Sequence, residues 1–375
     1  MRAQCGPSRG WVWAFFTLLV LEPAGHAGVQ AQQAGPDRSS GEALYKAACA
    51  ACHGVDGTGP PAGRKLNVPT PDLTDCSFAS REPDADWMAV IHQGGPVRAF
   101  DQTMPAFGES LSAEEIQRIL DYVRTMCPDR RWPRGELNLP RTFFIEKAYP
   151  EDEAVNTLSY TAEGAGRVMN ELIYEKRFGP RTQFELKLPF GLQEQVGSDW
   201  RAGLGDIVLA VKQVLHHSLA RGSILSLGAE LHTPTGSRSY GLGSGTWIAE
   251  PFLAYGNVLP RDAFVQFIAK AEFPTDEARA EREAALGFAL GKTWTQGQWG
   301  RTWTPMFELL AGRELESGAS VAWDIVPQMQ VSLNTRQHVL LNVGARIPLN
   351  QTTRSTQFVM YVLWDWFDGG LFDGW

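Results

Sequence analysis

One short run carries most of the chemistry in this chain: Cys49-Ala50-Ala51-Cys52-His53, two thiols two residues apart with a histidine directly after the second. C-x-x-C-H is the attachment sequence for c-type haem, in which both thiols add to the vinyl groups and the histidine ligates the iron axially. A redox dithiol has no need of the trailing histidine. A structural zinc site wants a second ligand pair, and no second C-x-x-C exists. Covalent haem on Cys49 and Cys52, with His53 on the iron, is the expected chemistry.

An iron held by one histidine needs a sixth ligand or stays open. Met88, Met104 and Met126 follow the motif within the next hundred residues. Met88 and Met126 lie in helix-forming stretches, where packing is the ordinary role of methionine. Met104 precedes Pro105 in the loop Gln102-Thr103-Met104-Pro105-Ala106-Phe107, a stiff way to present a thioether, and is the leading candidate. His92 is its competitor. Methionine–histidine ligation raises the potential of a c-type haem and leaves no position for oxygen or peroxide, which favours electron transfer. The adjacent pair His216-His217 would point to opposite faces of a strand and is a poor shared metal site.

The elements that must position these groups fall into regions of different grammar. Arg2 and Arg9, the apolar run Trp11 to Leu21, and small-residue sites near Ala27 and Ala31 read as a secretory signal over residues 1–31. Its removal would take away Cys5, leaving four of five cysteines. With Cys49 and Cys52 committed to haem, Cys76 and Cys127 should pair in an oxidising compartment. Such a bridge closes a loop of about 50 residues and is worth roughly 4 kcal/mol in the chain-entropy model. A formal net charge of -8 argues against a nucleic-acid partner.

Residues 40–128 read as a small all-α domain. Glu42 to Ala51 should be helical, the Gly- and Pro-rich run from Gly54 to Pro61 a loop, and Asp86 to Gln93 a helix stopped by Gly94-Gly95. Ser112 and Glu115 form a capping box before Ile116, Ile119, Leu120 and Val123. Residues 129–153, with Pro128 just before them and Pro133, Gly135 and Pro140 among them, read as a linker.

From residue 154 to 375 the period changes to two. Phe184, Leu186, Leu188 and Phe190 alternate with polar residues, as do Leu225, Leu227, Ala229 and Leu231. Roughly 12 such segments predict an antiparallel outer-membrane β-barrel, since only closed sheets and helices satisfy backbone groups in lipid. Glu185, Lys187, Glu230, Lys270, Glu272 and Arg346 fall opposite the apolar face, where a soluble barrel would be apolar. Trp247, Trp294, Trp299, Trp303, Trp364 and Trp366 are candidates for interfacial girdles, and the terminal Trp375 is similar to an outer-membrane assembly signal.

Residues 41–127 resemble a monohaem class I cytochrome c domain. The resemblance rests on C-A-A-C-H, the Gly- and Pro-rich loop after it, the Gly94-Gly95 turn, Met104-Pro105 and the final helix containing Tyr122. It implies one covalent haem c, with His53 and Met104 as axial ligands and the Pro60 loop on the histidine side. Cys76 and Cys127 lie outside that family pattern. The whole chain resembles bacterial outer-membrane fusions of a cytochrome c with a porin-like barrel, some of which oxidise iron.

Three functions compete: an outer-membrane electron carrier, a porin-like transporter with the cytochrome as redox plug or docking module, and an outer-membrane ferrous-iron oxidase. The expected partners are outer-membrane lipid and either periplasmic redox proteins or an extracellular electron donor or acceptor; nucleic acid is not expected. A domain of about 90 residues has a radius of gyration near 12 Å. A lumen of about 12 strands is too narrow for it, because barrels open into channels only at about 16 to 18 strands. The helical domain should therefore sit at the periplasmic mouth.

Overall fold

The computed structural model describes residues 37–161, 166–195, 199–350 and 354–375. The export signal expected over residues 1–31, and Cys5 with it, lie outside the described residues.

The helical domain begins with α1 (Gly41–Ala48), whose N-cap Ser40 Oγ accepts the Ala43 N–H. It continues into α2 (Ala50–His53), which stops at Gly54 with φ 75°, a left-handed region that favours glycine. Then come α3 (Cys76–Ala79), α4 (Asp84–Gln93) and α5 (Ala113–Thr125). The capping box at α5 is present in both directions: Ser112 Oγ accepts the Glu115 N–H, and the Glu115 carboxylate accepts the Ser112 N–H. Ile116, Ile119, Leu120 and Val123 are buried along one face of α5, and Ile119 and Val123 pack with Leu44, Tyr45 and Leu73 into the domain core.

The second region is a closed antiparallel barrel of 12 strands. In chain order its wall is β1 (Glu153–Thr161), β2 (Arg167–Phe178), β3 (Thr182–Glu194), with the short β4 (Trp200–Leu204) beside β3, then β5 (Val208–Ser218), β6 (Ser223–His232) and β7 (Ile248–Leu259). It continues with β8 (Ala263–Pro274), β9 (Glu283–Lys292), the two-residue β10 (Trp294–Thr295), β11 (Thr302–Glu314), β12 (Ala322–Ser332), β13 (Val339–Pro348) and β14 (Gln357–Asp365). Closure is made by β1 against β14, in register from Glu153↔Asp365 to Thr161↔Gln357. No edge strand is left in the ring, which satisfies every ladder internally.

The period-two pattern sorts the side chains as a lipid-facing wall requires. Along β5, Leu209 and Val211 are exposed while Ala210 and Lys212 are buried. Around the ring Leu172, Leu227, Leu253, Phe288, Phe307 and Met360 point out, while Glu175, Glu185, Glu250, Gln266, Glu308 and Asn342 are buried inside. Apolar outside and polar inside is the reverse of a soluble barrel.

The two mouths differ. The mouth that carries both ends of the barrel has tight connections at 179–181, 219–222, 260–262 and 333–338 and one of nine residues at 293–301, whereas the opposite mouth has longer ones at 195–207, 233–247 and 275–282. The chain after β14 does not extend the last strand. Residues 366–375 fold back in turns across the tight mouth, where the Thr335 N–H donates to the Gly374 carbonyl and Asn334 Nδ2 to the Asp373 carbonyl.

The segment expected as a linker is no spacer. From Leu137 to Asp152 it enters the barrel and runs through the lumen before turning into β1, with Leu137, Leu139, Ile145, Ala148 and Tyr149 buried. Small wall residues make room for it. A Cβ on Gly256 would lie 2.8 Å from Leu139 Cδ1, and one on Gly287 would lie 2.9 Å from Ile145 Cγ1. This luminal strap has no helix or strand of its own, so the wall supplies its hydrogen bonds. Gln266 Nε2 donates to the Pro140 carbonyl (2.8 Å), Tyr361 OH to Arg141 (2.6 Å), Lys212 Nζ to Lys147 (2.7 Å) and Ser226 Oγ to Ala148 (2.5 Å). The Glu308 carboxylate accepts both the Phe143 and the Phe144 N–H, at 2.9 and 3.0 Å. A buried loop survives only when its backbone groups are met in this way.

Candidate haem site

The attachment motif sits where α1 hands over to α2. The Cys49 N–H donates to the Tyr45 carbonyl, and the Cys52 and His53 N–H groups both donate to the Cys49 carbonyl. One tight turn thus brings Cys49, Cys52 and His53 together, and Tyr45 OH fixes its exit by donating to the Gly54 carbonyl at 2.8 Å. The two thiols are not joined to one another. Burial pushes the Cys49 thiol up to about 12, with a smaller contribution from Cys52. Burial also lowers His53, which keeps the imidazole neutral, the form that ligates a metal. His53 Nδ1 is buried and has no hydrogen-bond partner. Two free thiols one turn apart and an orphaned imidazole beside them fit a haem held through this motif.

The loop carrying Met104 is bound to the end of α4. Gly94 has φ 82°, and a Cβ there would lie 2.9 Å from the Met104 carbonyl oxygen. The Gly95 N–H donates to that same carbonyl at 2.9 Å, and the Phe107 and Gly108 N–H groups donate to Ile91 and His92. Asp101 Oδ1 closes the other side by accepting from the Thr103 N–H and hydroxyl. Glycine is needed at 94 and 95 because the loop passes where side chains would stand. Met126 packs against Gly57 and the domain core. His92 packs on Gly108, with its ring centroid 6.0 Å from that of Trp299 in the β9–β11 connection. Cys76 and Cys127 are bonded, with Cα atoms 5.1 Å apart, which ties α3 to the end of α5. His216 is exposed and His217 half-buried on β5.

The helical domain is docked on the tight mouth, and the two pack as one unit. Arg336, between β12 and β13, donates from Nε to the Arg98 carbonyl (3.2 Å), from Nη2 to Ala99 (2.8 Å) and from Nη1 to Asp368 (2.8 Å), with its guanidinium over the Phe100 ring. Arg98 is held by Asp86 at 2.7 Å and donates to the Trp299 carbonyl at 2.7 Å. Trp299 therefore belongs to the docking contact and not to an interfacial girdle, which corrects the expectation from sequence. Arg81 pairs with the buried Asp152 and lies over the Phe367 ring.

Inside the barrel, every charged strap residue up to Asp152 has an opposite partner. Arg141 meets Glu153 at 2.7 Å and Glu175 at 2.5 Å, Glu146 meets Lys212 at 2.7 Å, Lys147 meets Glu151, and Asp152 meets Arg81. The strap divides the lumen. A space on the docking side is lined by Arg81, Glu82, Asp365 and Asp368, and a chamber of about 470 Å³ on the far side by Phe143, Lys187, Glu230, Leu242 and Lys270. Sequence reasoning missed the strap. Its one signal is the mixture of buried-type residues (Leu139, Phe143, Phe144, Ile145) with five charges, which suits neither a solvated linker nor a strand.

Comparisons with known proteins divide the chain in the same way. Residues 36–123 match the family model described as cytochrome c oxidase, cbb3-type, subunit III. Residues 155–346, more than half of the chain, match the model described as putative MetA-pathway of phenol degradation. Similar solved structures include an outer-membrane channel from Pseudomonas putida F1 (16% identity, 60% of this chain and 99% of that one, TM-score 0.42). KdgM porin is another (11% identity, 56% and 98%, TM-score 0.38), as is LpxR from Salmonella typhimurium (6% identity, 56% and 99%, TM-score 0.39). No curated protein matches the chain significantly. Residues 36–123 are a haem-binding cytochrome c domain, and the strands from Glu153 to Asp365 form a closed antiparallel barrel with an apolar outer wall.

Proposed function

Because the chain belongs to the family described as putative MetA-pathway of phenol degradation and carries a cytochrome c domain ahead of that barrel, we propose that it is an electron carrier of the outer membrane. One haem c, held by Cys49 and Cys52 and ligated by His53 and Met104, supplies the one-electron chemistry when bound. The chain's own part is to hold two thiols and an imidazole in one turn, to clamp the Met104 loop on Gly94 and Gly95, and to fix the domain on the barrel through Arg81, Arg98 and Arg336. The apolar outer wall supports a lipid address, and the short connections at the docking mouth support a periplasmic position for the haem domain.

The observation that carries this reading is the strap. A barrel whose lumen is filled from Leu137 to Asp152 by a hydrogen-bonded, fully ion-paired segment is built to hold a domain in place before it is built to pass solute. Electron transfer is what the docked domain then has to offer. Its partners are soluble redox proteins that approach the exposed part of the docked domain.

The test uses the full-length protein in sealed outer-membrane vesicles of native orientation. A single one-electron couple, a reduced haem that does not bind carbon monoxide, and oxidation by impermeant ferricyanide only after detergent opens the vesicles are the expected results. Carbon monoxide binding would replace electron transfer by ligand chemistry. Immediate oxidation from outside would move the haem domain, or an electron path, to the outer surface.

A further inference from the structure

The far-side chamber contains a group of side chains that neither haem binding nor docking uses. Glu230 and His232 are two residues apart on β6 and so share its inward face, and Glu250 on β7 is the direct cross-strand partner of Glu230. Like charges placed directly opposite destabilise a sheet unless something lies between them. Two lysines answer only part of this charge. Lys187 Nζ lies 2.8 Å from Glu230 Oε1 and 3.1 Å from Glu185 Oε1, and Lys270 Nζ lies 2.9 Å from Glu250 Oε1. A fourth carboxyl, Glu272, lies beside Glu250. Four carboxyls thus face two ammonium groups.

The geometry of the remaining atoms is specific. Both lysines use the Oε1 oxygens, and Glu230 Oε2 is left 3.8 Å from His232 Nε2. That separation is too long for a hydrogen bond. It matches two ligands of one metal, because atoms each about 2.0–2.2 Å from a zinc-like ion stand roughly 3–4 Å apart. One ligand atom from each of Glu230, His232 and Glu250 lies within 4.8 Å of the others. The imidazole gives a second observation: His232 Nε2 is buried and has no hydrogen-bond partner, although the chamber around it is polar.

We propose that Glu230, His232 and Glu250 form a binding site for a first-row divalent cation in the far-side chamber. Two carboxylates and one imidazole are the donor set that zinc, ferrous iron and manganese share. The ion sits between the like-charged pair and takes the free His232 nitrogen. This site is independent of the electron-transfer reading, since it lies across the strap from the docked domain.

The experiment is equilibrium dialysis of haem-loaded, detergent-solubilised full-length protein against Zn²⁺ after chelator treatment, with metal analysis. Haem loading removes Cys49 and Cys52 as competing zinc ligands. One Zn²⁺ per chain is expected, weakened at least tenfold in His232→Ala and restored in His232→Asp. Heat-modifiable gel mobility of each variant reports that the barrel is folded. Absence of stoichiometric Zn²⁺, or folded His232→Ala binding as tightly as the parent chain, overturns the proposal.

Discussion

Arg81, between α3 and α4, is ion-paired with Asp152, the residue immediately before β1, and the Asp152 side chain is wholly buried. This contact crosses more than 70 residues of sequence and joins the haem domain to the point where the strap becomes barrel wall. The same guanidinium lies 3.7 Å from the centroid of the Phe367 ring, in the tail that follows β14. One side chain thus touches the haem domain, the end of the strap and the end of the barrel.

Removing this arginine leaves the buried Asp152 carboxylate with only Lys176, at 3.2 Å, and the Arg177 N–H, at 3.0 Å. Arg81→Ala should cost about 1.5–3 kcal/mol at the junction, the usual worth of a hydrogen bond to a charged group, because Lys176 still faces the carboxylate. Limited proteolysis checks it: cleavage between residues 128 and 137 should accelerate sharply, with the barrel still heat-modifiable. Arg81→Ala together with Asp152→Asn should recover part of the loss, because the buried carboxylate is then gone and Lys176, 37% exposed, is solvated.

The junction should also respond to pH. Glu82 and Asp368 are hydrogen-bonded carboxyls. Burial pushes Glu82 up to about 8, with Asp86 adding repulsion. Burial raises Asp368 too, with repulsion from Glu82 next. An acid whose value is raised in the docked state holds a proton there that the free chain has released. Docking is therefore tightest below the ordinary carboxylate range and weakens as pH rises from about 4.5 towards 8. Junction proteolysis at a series of pH values should follow that course in the parent chain and flatten in Glu82→Gln.

Glu308 is the central fastening of the strap. Its carboxylate accepts two backbone N–H groups, Phe143 and Phe144, and Glu308→Ala leaves both donors buried without partners, at about 1–3 kcal/mol each. The strap should loosen and the lumen should conduct. Planar-bilayer recording checks this: low conductance in the parent chain, larger and noisier openings in Glu308→Ala. A parent chain that already conducts like an open porin would contradict the plugged lumen.

Replacement of Met104 by Ala should lower the haem potential and let the reduced haem bind carbon monoxide, since the methionine ligand both raises the potential and fills the sixth position. His92→Ala should leave the potential close to that of the parent chain. If the two variants behave the other way round, the ligand assignment is reversed.

Much of this architecture was legible before any coordinates. Cys49, Cys52 and His53 stand in a contiguous run, so the haem motif is written in linear spacing. The capping box at Ser112 and Glu115 and the stripe from Ile116 to Val123 are local as well, and α5 lies where they put it. Period-two alternation gave the barrel and its polar interior. The girdle assignment failed at Trp299 because periodicity ranks a tryptophan by its place near a strand end, and no local signal shows a second domain resting on it. The tail that ends in Trp375 follows contacts equally remote in sequence: Arg336 and Asn334 hold it across the mouth.

The haem motif, the two regions and the sidedness of each strand are local properties of the chain, because all three depend on neighbours within about ten residues. Only the tertiary structure decided the path of residues 137–152. That segment has no period, since its partners are Gln266, Ser226, Lys212, Glu308 and Tyr361, from five different strands of a ring. Ring closure at Glu153↔Asp365 is what brings those five side chains to face one another. A lumen exists only once the first and last strands have met, so nothing that depends on its interior can be read along the chain.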